Sequence, residues 1–91
     1  MKVDKNLVAF ITGSSSGFGW QVASDLLANG ARCYLTDLSE KSIEFVQKYG
    51  PTQCIFRKLD ISDEQGVKEA IEDCATQFGY ISVVVNSAGI A

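Results

Sequence analysis

Three glycines in one short stretch, Gly13, Gly17 and Gly19, have the spacing G-x-x-x-G-x-G and follow a run of apolar residues. The apolar run predicts a buried strand, and the pattern after Gly19 predicts a helix. Glycine lets the connecting backbone turn at positive φ and approach a ligand closely. The helix directs free N–H groups and the positive end of its dipole toward the same point. This stretch predicts a pyrophosphate-binding turn, although a tight turn without a ligand would share the spacing.

A single carboxylate, Asp37, ends the second predicted strand, residues 32–36, and lies eighteen residues after Gly19. A carboxylate at about this offset accepts hydrogen bonds from the adenosine ribose of a dinucleotide. Its charge would repel the 2′-phosphate of NADP, and neither sequence neighbour is Lys or Arg. We therefore expect Asp37 to bind NAD. A carboxylate near the start of the next helix, stabilised by the helix dipole, is a compatible alternative.

Asp60 and Ile61 follow the third predicted strand, residues 54–59. The Asp60 carboxylate could accept a hydrogen bond from an adenine amine, while the next N–H donates to a ring nitrogen and Ile61 covers the ring. Helix initiation explains Asp60 equally well, because the string through Asp63 also suits the approach to a helix.

The fourth predicted strand, residues 81–85, leads into Asn86, Ser87, Ala88 and Gly89. The small side chains of this string would let a cofactor lie close to the strand end. On its own, the string indicates only a turn.

The elements that must position these residues begin with a strand at residues 7–11, which is apolar on both sides, as a central parallel strand is. A helix over residues 18–29 ends at a left-handed Gly30, and a second over 39–49 runs from an N-cap at Ser39 to the Gly-Pro pair that follows it. The inward-facing residues are expected to be Val22, Ala23, Leu26 and Leu27 in the first helix and Ile43 and Val46 in the second.

The third helix follows Ser62, which forms a predicted capping box with Gln65, and Gly79 ends it. Its apolar stripe consists of Val67, Ala70, Ile71, Cys74, Ala75 and Phe78. The complete order β-α-β-α-β-α-β predicts an α/β fold with a parallel sheet. The dinucleotide-binding template gives the strand order 3-2-1-4, the N-terminal half of a Rossmann-type doubly wound sheet. We expect residues 1–91 to form one domain, incomplete at its C-terminus.

The composition narrows the class of protein. The 91 residues are 46% apolar, and a net charge of −3 disfavours a nucleic-acid or anionic-membrane partner. Three cysteines without C-x-x-C spacing indicate core thiols in a reducing compartment, and the absence of histidine argues against a zinc site or a histidine-based triad. With no long apolar run and no evident presequence, we expect a soluble intracellular protein.

Taken together, these motifs resemble the short-chain dehydrogenase/reductase family over essentially the whole chain. Residues 7–13 and 85–91 look most like the family members that act on 3-hydroxyacyl-CoA thioesters and hydroxysteroids. The resemblance implies an oxidoreductase that transfers hydride between NAD and a secondary alcohol or ketone. It also implies a homo-oligomer, a dimer or tetramer, in the mitochondrion or otherwise the cytoplasm.

Site residues follow from the same resemblance. Ser16 and Phe18 would contact the cofactor phosphates and ribose, Asp37 the adenosine ribose, and Asp60 and Ile61 the adenine. The nicotinamide side would be bordered by Asn86, Ser87, Ala88 and Gly89, with Ser87 contacting NAD. Ser87 replaces the second Asn of the common family pattern; serine still donates and accepts a hydrogen bond, but the structural role of that Asn is in doubt.

The family's catalytic Ser and Tyr-x-x-x-Lys have no counterpart in these residues. Tyr34, Tyr49 and Tyr80 are each followed four positions later by a residue other than lysine. We therefore assign no catalytic residue, expect this chain alone to be inactive, and expect an exposed apolar edge on the fourth strand that makes it marginally stable. The alternatives are a non-catalytic dinucleotide-binding module and a fragment with no function of its own.

Overall fold

The computed structural model describes residues 2–88 of the chain. Strands and helices alternate in the order β1 (Val8–Thr12), α1 (Gly17–Ala28), β2 (Arg32–Asp37), α2 (Ile43–Tyr49), β3 (Cys54–Lys58), α3 (Glu64–Phe78) and β4 (Val83–Asn86). The four strands form one parallel sheet in the order β3-β2-β1-β4. The structure confirms the predicted α/β class, the parallel sheet and the strand order of a Rossmann-type N-terminal half.

Strand β1 is central because it pairs with β2 on one side and β4 on the other. All five of its residues are buried, as expected for a strand covered on both faces. The strand extends one residue beyond the apolar run, since the polar Thr12 still pairs with Thr36 and with Asn86. The glycine turn therefore begins where the ends of three strands meet.

Alternate side chains of the strands point into two separate apolar cores. One core packs Ala9, Ile11 and Leu35 against α1 and α2, and the other packs Val8 and Phe10 against α3. The three cysteine thiols are buried and free, as predicted. Burial raises the pKa of Cys54 to about 12 and, with a contribution from Asp73, that of Cys74 to about 11. These thiols are therefore protonated core groups at neutral pH.

The start of α2 differs from the prediction. The N-cap is Ser42 rather than Ser39, and residues 40–43 form a turn in which the N–H of Ile43 donates to the carbonyl of Glu40. The buried residue of this helix is Phe45, whereas Ile43 and Val46 are only half-buried. The local pattern missed this start because several serines there could act as caps, and contacts from elsewhere in the chain decide among them.

The start of α3 also differs from the prediction. Asp63 is the N-cap, accepting a 3.0 Å hydrogen bond from the N–H of Gly66, while Ser62 bonds to Asp60 instead of capping the helix. The buried row of α3 consists of Ala70, Cys74 and Phe78, which are spaced four apart and so lie on one face. Ile71 is exposed, contrary to prediction, because the core against the sheet covers the row of Ala70, Cys74 and Phe78 and does not extend to Ile71.

The remaining boundaries shift by one or two residues, as is usual at the ends of elements. Strand β4 starts at Val83 rather than at residue 81. Just before it, the N–H of Val8 donates to the hydroxyl of Ser82, and the N–H of Ser82 donates to the carbonyl of Val8. Gly30 has a φ of +90° immediately after α1, as predicted for a residue that ends a helix.

Candidate cofactor-binding site

A cleft of about 180 Å³ lies at the carboxyl ends of the strands. Its lining comes from all four strand ends and consists of Thr12, Gly13, Ser16, Thr36, Asp37, Leu38, Leu59, Asp60, Ile61 and Ala88. Complete small-molecule sites enclose roughly 300–1,000 Å³. The cleft therefore has room for part of a dinucleotide, at the edge of the sheet where α/β folds bind their ligands.

The structure brings half of the predicted residues to this cleft. Six of the twelve line it: Gly13, Ser16, Asp37, Asp60, Ile61 and Ala88. Five others are in the first turn of α1, at the end of β4 and directly after it: Gly17, Phe18, Gly19, Asn86 and Ser87. The twelfth, Gly89, lies outside the described residues.

Gly13 and Gly19 are required by contacts within the protein. Gly13 has a φ of +67°, and a Cβ there would lie 2.8 Å from the backbone nitrogen of Ala88. A Cβ on Gly19 would overlap the carbonyl oxygen of Gly13 and the hydroxyl of Ser87. These two glycines therefore allow the turn, the first turn of α1 and the segment after β4 to pack together.

Gly17 has a different environment from its two neighbours in the motif. It begins α1, its φ lies in the ordinary range, and a Cβ there would meet nothing within 4 Å. No contact among the described residues therefore requires glycine at this position. Close approach of a ligand to the backbone is the remaining physical reason for a glycine here.

The N-terminus of α1 has donors to offer an anion. Its N-cap, Ser16, makes no side-chain hydrogen bond to the helix and instead donates its hydroxyl to the carbonyl of Gly13 at 3.1 Å. The first intrahelical bond runs from the N–H of Trp20 to Ser16, and the first turn contains no acidic residue. The N–H groups before Trp20 therefore lack intrahelical partners, and together with the helix dipole they suit a phosphate.

The Asp37 carboxylate is held on two sides. Its Oδ2 atom accepts a 2.9 Å hydrogen bond from the backbone N–H of Ser15 in the glycine turn. Its Oδ1 atom accepts a 3.0 Å hydrogen bond from the backbone N–H of Ser39. An ionised carboxylate has about four acceptor positions, so each oxygen can still accept from a ligand hydroxyl. The predicted ribose-binding group is thus fixed in place and has acceptor capacity remaining.

Two apolar side chains stand at the mouth of the cleft, Leu38 after β2 and Ile61 after β3, with exposed fractions of 57% and 44%. Beside them, Asp60 is fully exposed, and hydrogen bonds from the backbone N–H and hydroxyl of Ser62 hold the pKa of its carboxyl below its ordinary value. Leu38 was missed by the sequence reasoning. Its signal was a large apolar residue directly after the strand-end carboxylate, where a polar loop would be expected.

The end of β4 and the residue after it are bound to the end of β1. The hydroxyl of Thr12 donates to the Asn86 side chain at 2.9 Å. Ser87 is only 2% exposed, and its hydroxyl donates to the carbonyl of Thr12, with a longer contact of 3.3 Å to the carbonyl of Gly13. In the structure this hydroxyl is therefore directed at the glycine turn, and it contributes a structural hydrogen bond there.

The charged groups that line the cleft are both acidic, Asp37 and Asp60. Within residues 2–88, no cluster of three His, Cys, Asp or Glu side chains is arranged to hold a metal ion. None of the helices in that same range is long and apolar enough to cross a membrane.

A family model for short chain dehydrogenases matches residues 7–91. The chain belongs to the short-chain dehydrogenase family. Its glycine turn, the strand-end aspartates and the segment after β4 all fall within the matched range. The family resemblance drawn from these motifs is confirmed.

Several members of the short-chain dehydrogenase family are similar in sequence. Human 3-hydroxyacyl-CoA dehydrogenase type-2 is 39% identical over 87 residues, which cover 96% of this chain and 33% of that protein. The 2-(R)-hydroxypropyl-CoM dehydrogenase of Xanthobacter autotrophicus is also 39% identical, over 91% of this chain and 35% of that protein. The chain thus spans about a third of the length of these relatives. The predicted likeness to the hydroxyacyl-CoA dehydrogenases is confirmed.

Solved short-chain dehydrogenases share the fold. A short-chain dehydrogenase/reductase from Brucella melitensis, described as a glucose/ribitol dehydrogenase, superposes with a TM-score of 0.88 at 31% identity, over 98% of this chain and 38% of that one. A 3-ketoacyl-(acyl-carrier-protein) reductase from the same organism, solved with NADH, gives a TM-score of 0.78 at 30% identity, over 91% of this chain and 34% of that one.

Proposed function

We propose that this chain binds NAD in the cleft and forms the cofactor-binding part of a dehydrogenase that transfers hydride between NAD and a secondary alcohol or ketone. The observation that carries the proposal is the position of Asp37, fixed between the glycine turn and the cleft with acceptor capacity remaining. The NADH complex of the similar 3-ketoacyl reductase supports the cofactor class.

The residues present fit a dinucleotide. The adenosine ribose would bond to Asp37, and the adenine would lie between Leu38 and Ile61 with Asp60 at its edge. The pyrophosphate would be bound by the first N–H groups of α1, where the missing side chain of Gly17 leaves room. Ser16 and Phe18 would border the phosphates, and the segment 86–89 would border the nicotinamide half.

NAD rather than NADP is the proposed cofactor because of charge. The lining of the cleft has two carboxylates and no Lys or Arg, so a 2′-phosphate placed next to Asp37 would meet like charge without a compensating cation. Like charges at close range disfavour binding strongly, and burial in a cleft weakens the screening by solvent.

The residues of this chain bind and orient the cofactor, and bound NAD supplies the hydride acceptor. We assign proton transfer to no residue among these 91, because none of Tyr34, Tyr49 and Tyr80 has a lysine four positions later. By similarity to the type-2 enzyme we propose a 3-hydroxyacyl-CoA or a hydroxysteroid as substrate of the whole protein. The same similarity is our basis for proposing a homo-oligomer located in mitochondria or the cytoplasm.

A second candidate is a dinucleotide-binding module without catalysis. It is favoured by the cofactor cleft, whose lining brings together residues from all four strand ends. Reading the transcript beyond Ala91 separates the two: an open frame that supplies the Ser and the Tyr-x-x-x-Lys favours the enzyme. A stop codon directly after Ala91 would leave only the module, or a fragment with no function of its own.

The binding proposal is tested by titration with NADH. Trp20 is the only tryptophan in the sequence and lies in the first turns of α1, so its emission reports an NADH molecule nearby by energy transfer. We expect saturable quenching by NADH and much weaker quenching by NADPH. Quenching that stays linear with concentration for both would contradict the proposed function.

A further inference from the structure

Three serine hydroxyls connect the glycine turn with the start of α2. The hydroxyls of Ser14 and Ser42 lie 2.8 Å apart, and the Ser15 hydroxyl donates to the Ser42 hydroxyl at 3.1 Å. The backbone N–H of Ser42 in turn donates to the Ser15 hydroxyl at 3.0 Å. Ser14 and Ser42 are both completely buried. The contact between Ser14 and Ser42 is therefore shielded from water, and hydrogen bonds in such surroundings are stronger. Ser15, which continues the connection, is half-buried.

This group of serines is continuous with the Asp37 carboxylate. Ser15 donates its backbone N–H to Asp37, and the single proton of its hydroxyl is shared between the Ser42 hydroxyl and the carbonyl of Ser39, which lies 3.0 Å away. Ser39 donates its own N–H to the other carboxylate oxygen. The two oxygens of Asp37 thus accept from Ser15 and Ser39. Ser15 is bonded to Ser42, and Ser39 is connected to Ser42 through Ser15.

The hydrogen bonds of Ser42 are unusual for the N-cap residue of a helix. A serine at a helix N-cap ordinarily accepts a hydrogen bond from the second or third N–H of its own helix. Ser42 makes no such bond to α2, and its backbone has helical angles, with φ of −71° and ψ of −2°. Its hydrogen-bonding capacity is directed at the glycine turn instead. The start of α2 therefore lacks a stabilising side-chain cap, and the Ser42 hydroxyl is bonded to the glycine turn instead.

We propose that Ser42 is a positioning residue for the dinucleotide, fixing the Asp37 carboxylate at a set distance from the glycine turn through Ser15. This inference rests on the proposed NAD-binding function. The ribose and the pyrophosphate are joined covalently in the ligand, so the two halves of the site must match one spacing. A site that already has that spacing loses less conformational freedom on binding. Ser42 does not line the cleft, and its effect reaches the ligand only through its neighbours.

The test is a double-mutant cycle on NADH affinity, with Ser42→Ala, Asp37→Ala and the combined variant of the 91-residue chain. Ser42→Ala removes the hydroxyl that contacts both Ser14 and Ser15. Loss of the bond to Ser15 is expected to raise the Kd for NADH up to about tenfold. In the Asp37→Ala background the same change should have little further effect, because the group through which Ser42 acts is gone. The matched control is Ser82→Ala, which removes a hydroxyl that accepts from the Val8 N–H at the opposite end of β1.

An unchanged Kd in Ser42→Ala overturns the inference, and so does an equal loss of affinity in both backgrounds, which would indicate general loosening of the fold. If Ser42→Ala does not fold, Ser15→Ala removes the partner hydroxyl from a half-buried position and must give the same non-additive pattern. Binding that depends on Asp37 but not on Ser42 leaves the proposed function standing and overturns this inference alone. Absence of NADH binding by the unmodified chain overturns both.

Discussion

The backbone N–H of Ser15 donates a 2.9 Å hydrogen bond to the Oδ2 atom of Asp37, a residue 22 positions further along the chain. The bond joins the glycine turn after the first strand to the carboxylate that ends the second. The two most informative sequence motifs are therefore parts of one hydrogen-bonded unit.

Replacing Asp37 with Asn should reduce the discrimination against NADP. The variant keeps the size of the side chain and removes the negative charge that would face a 2′-phosphate. Hydrogen bonds to charged groups contribute roughly 1.5–3 kcal/mol, so the Kd for NADH should rise at least about tenfold. The ratio of the Kd values for NADPH and NADH should fall at the same time. Asp25→Asn, an exposed change on α1, serves as the control for net charge, and an unchanged ratio in Asp37→Asn would count against the repulsion argument.

Replacement by alanine should have different effects at Gly17 and Gly19: the first change should affect NADH affinity, and the second the stability of the fold. Gly17→Ala places its methyl group where nothing lies within 4 Å, so we expect the free energy of unfolding to stay constant or to rise by up to about 1 kcal/mol through helix propensity. NADH affinity should nevertheless fall, because the methyl group would occupy the space of the pyrophosphate. Urea denaturation and NADH titration of the same sample measure both quantities. Gly17→Ala with wild-type affinity would contradict the phosphate assignment.

Gly19→Ala is expected to show the opposite order of effects. Its methyl group would overlap the carbonyl of Gly13 and the hydroxyl of Ser87, and overpacking of this kind destabilises by roughly 1–3 kcal/mol. The midpoint of urea denaturation should therefore decrease markedly, whether or not cofactor is present. Unchanged stability in this variant would show that the turn can move apart to admit a side chain.

Removal of the Ser87 hydroxyl tests whether that group acts on the protein or on the cofactor. In Ser87→Ala the carbonyls of Thr12 and Gly13 lose a buried donor, which should lower the free energy of unfolding by about 1–2 kcal/mol. NADH affinity should change little if the hydroxyl serves the turn. A loss of affinity at unchanged stability would instead favour the direct contact with NAD that the family resemblance implies.

The stability of the fold should decrease at alkaline pH. Burial, with the neighbouring Asp73 carboxylate, raises the pKa of Tyr34 from 10.0 to about 12, and burial raises that of Cys54 from 9.0 to about 12. The folded state keeps these protons at a pH where the unfolded state releases them. The free energy of unfolding should therefore be constant below pH 9.0 as far as these groups are concerned, and fall as the pH rises toward about 12.

Tyr34→Phe is the control for this pH dependence. It removes the 2.6 Å hydrogen bond from the tyrosine hydroxyl to Asp73, at a cost of about 1 kcal/mol near neutral pH. It also removes the tyrosine share of the alkaline loss, so its stability curve should fall less steeply above pH 10. Parallel curves for the two proteins would show that Tyr34 titrates alike in the folded and unfolded states.

The sequence by itself determined the order of the elements, the parallel sheet and the strand order, because these depend on apolar runs, crossover lengths and a familiar glycine spacing. It also placed Asp37 and Asp60 at strand ends. It did not determine where α2 and α3 begin. Ser39 and Ser42 can each form a cap locally, and the contacts of Ser42 with Ser14 and Ser15 come from a distant segment. At the third helix, the Ser62 hydroxyl bonds to Asp60 and the cap is Asp63.

Only the tertiary structure decided which residue of each motif serves the fold and which faces the cleft. Gly13, Gly17 and Gly19 look alike in the sequence, yet the space around Gly13 and Gly19 is limited by Ser87 or Ala88, far along the chain, while Gly17 has no neighbour within 4 Å. The link from Asp37 through the glycine turn to the start of α2 is likewise a contact between separate segments. Such contacts depend on which side chains the completed sheet brings together, and they cannot be predicted from local patterns of residues along the chain.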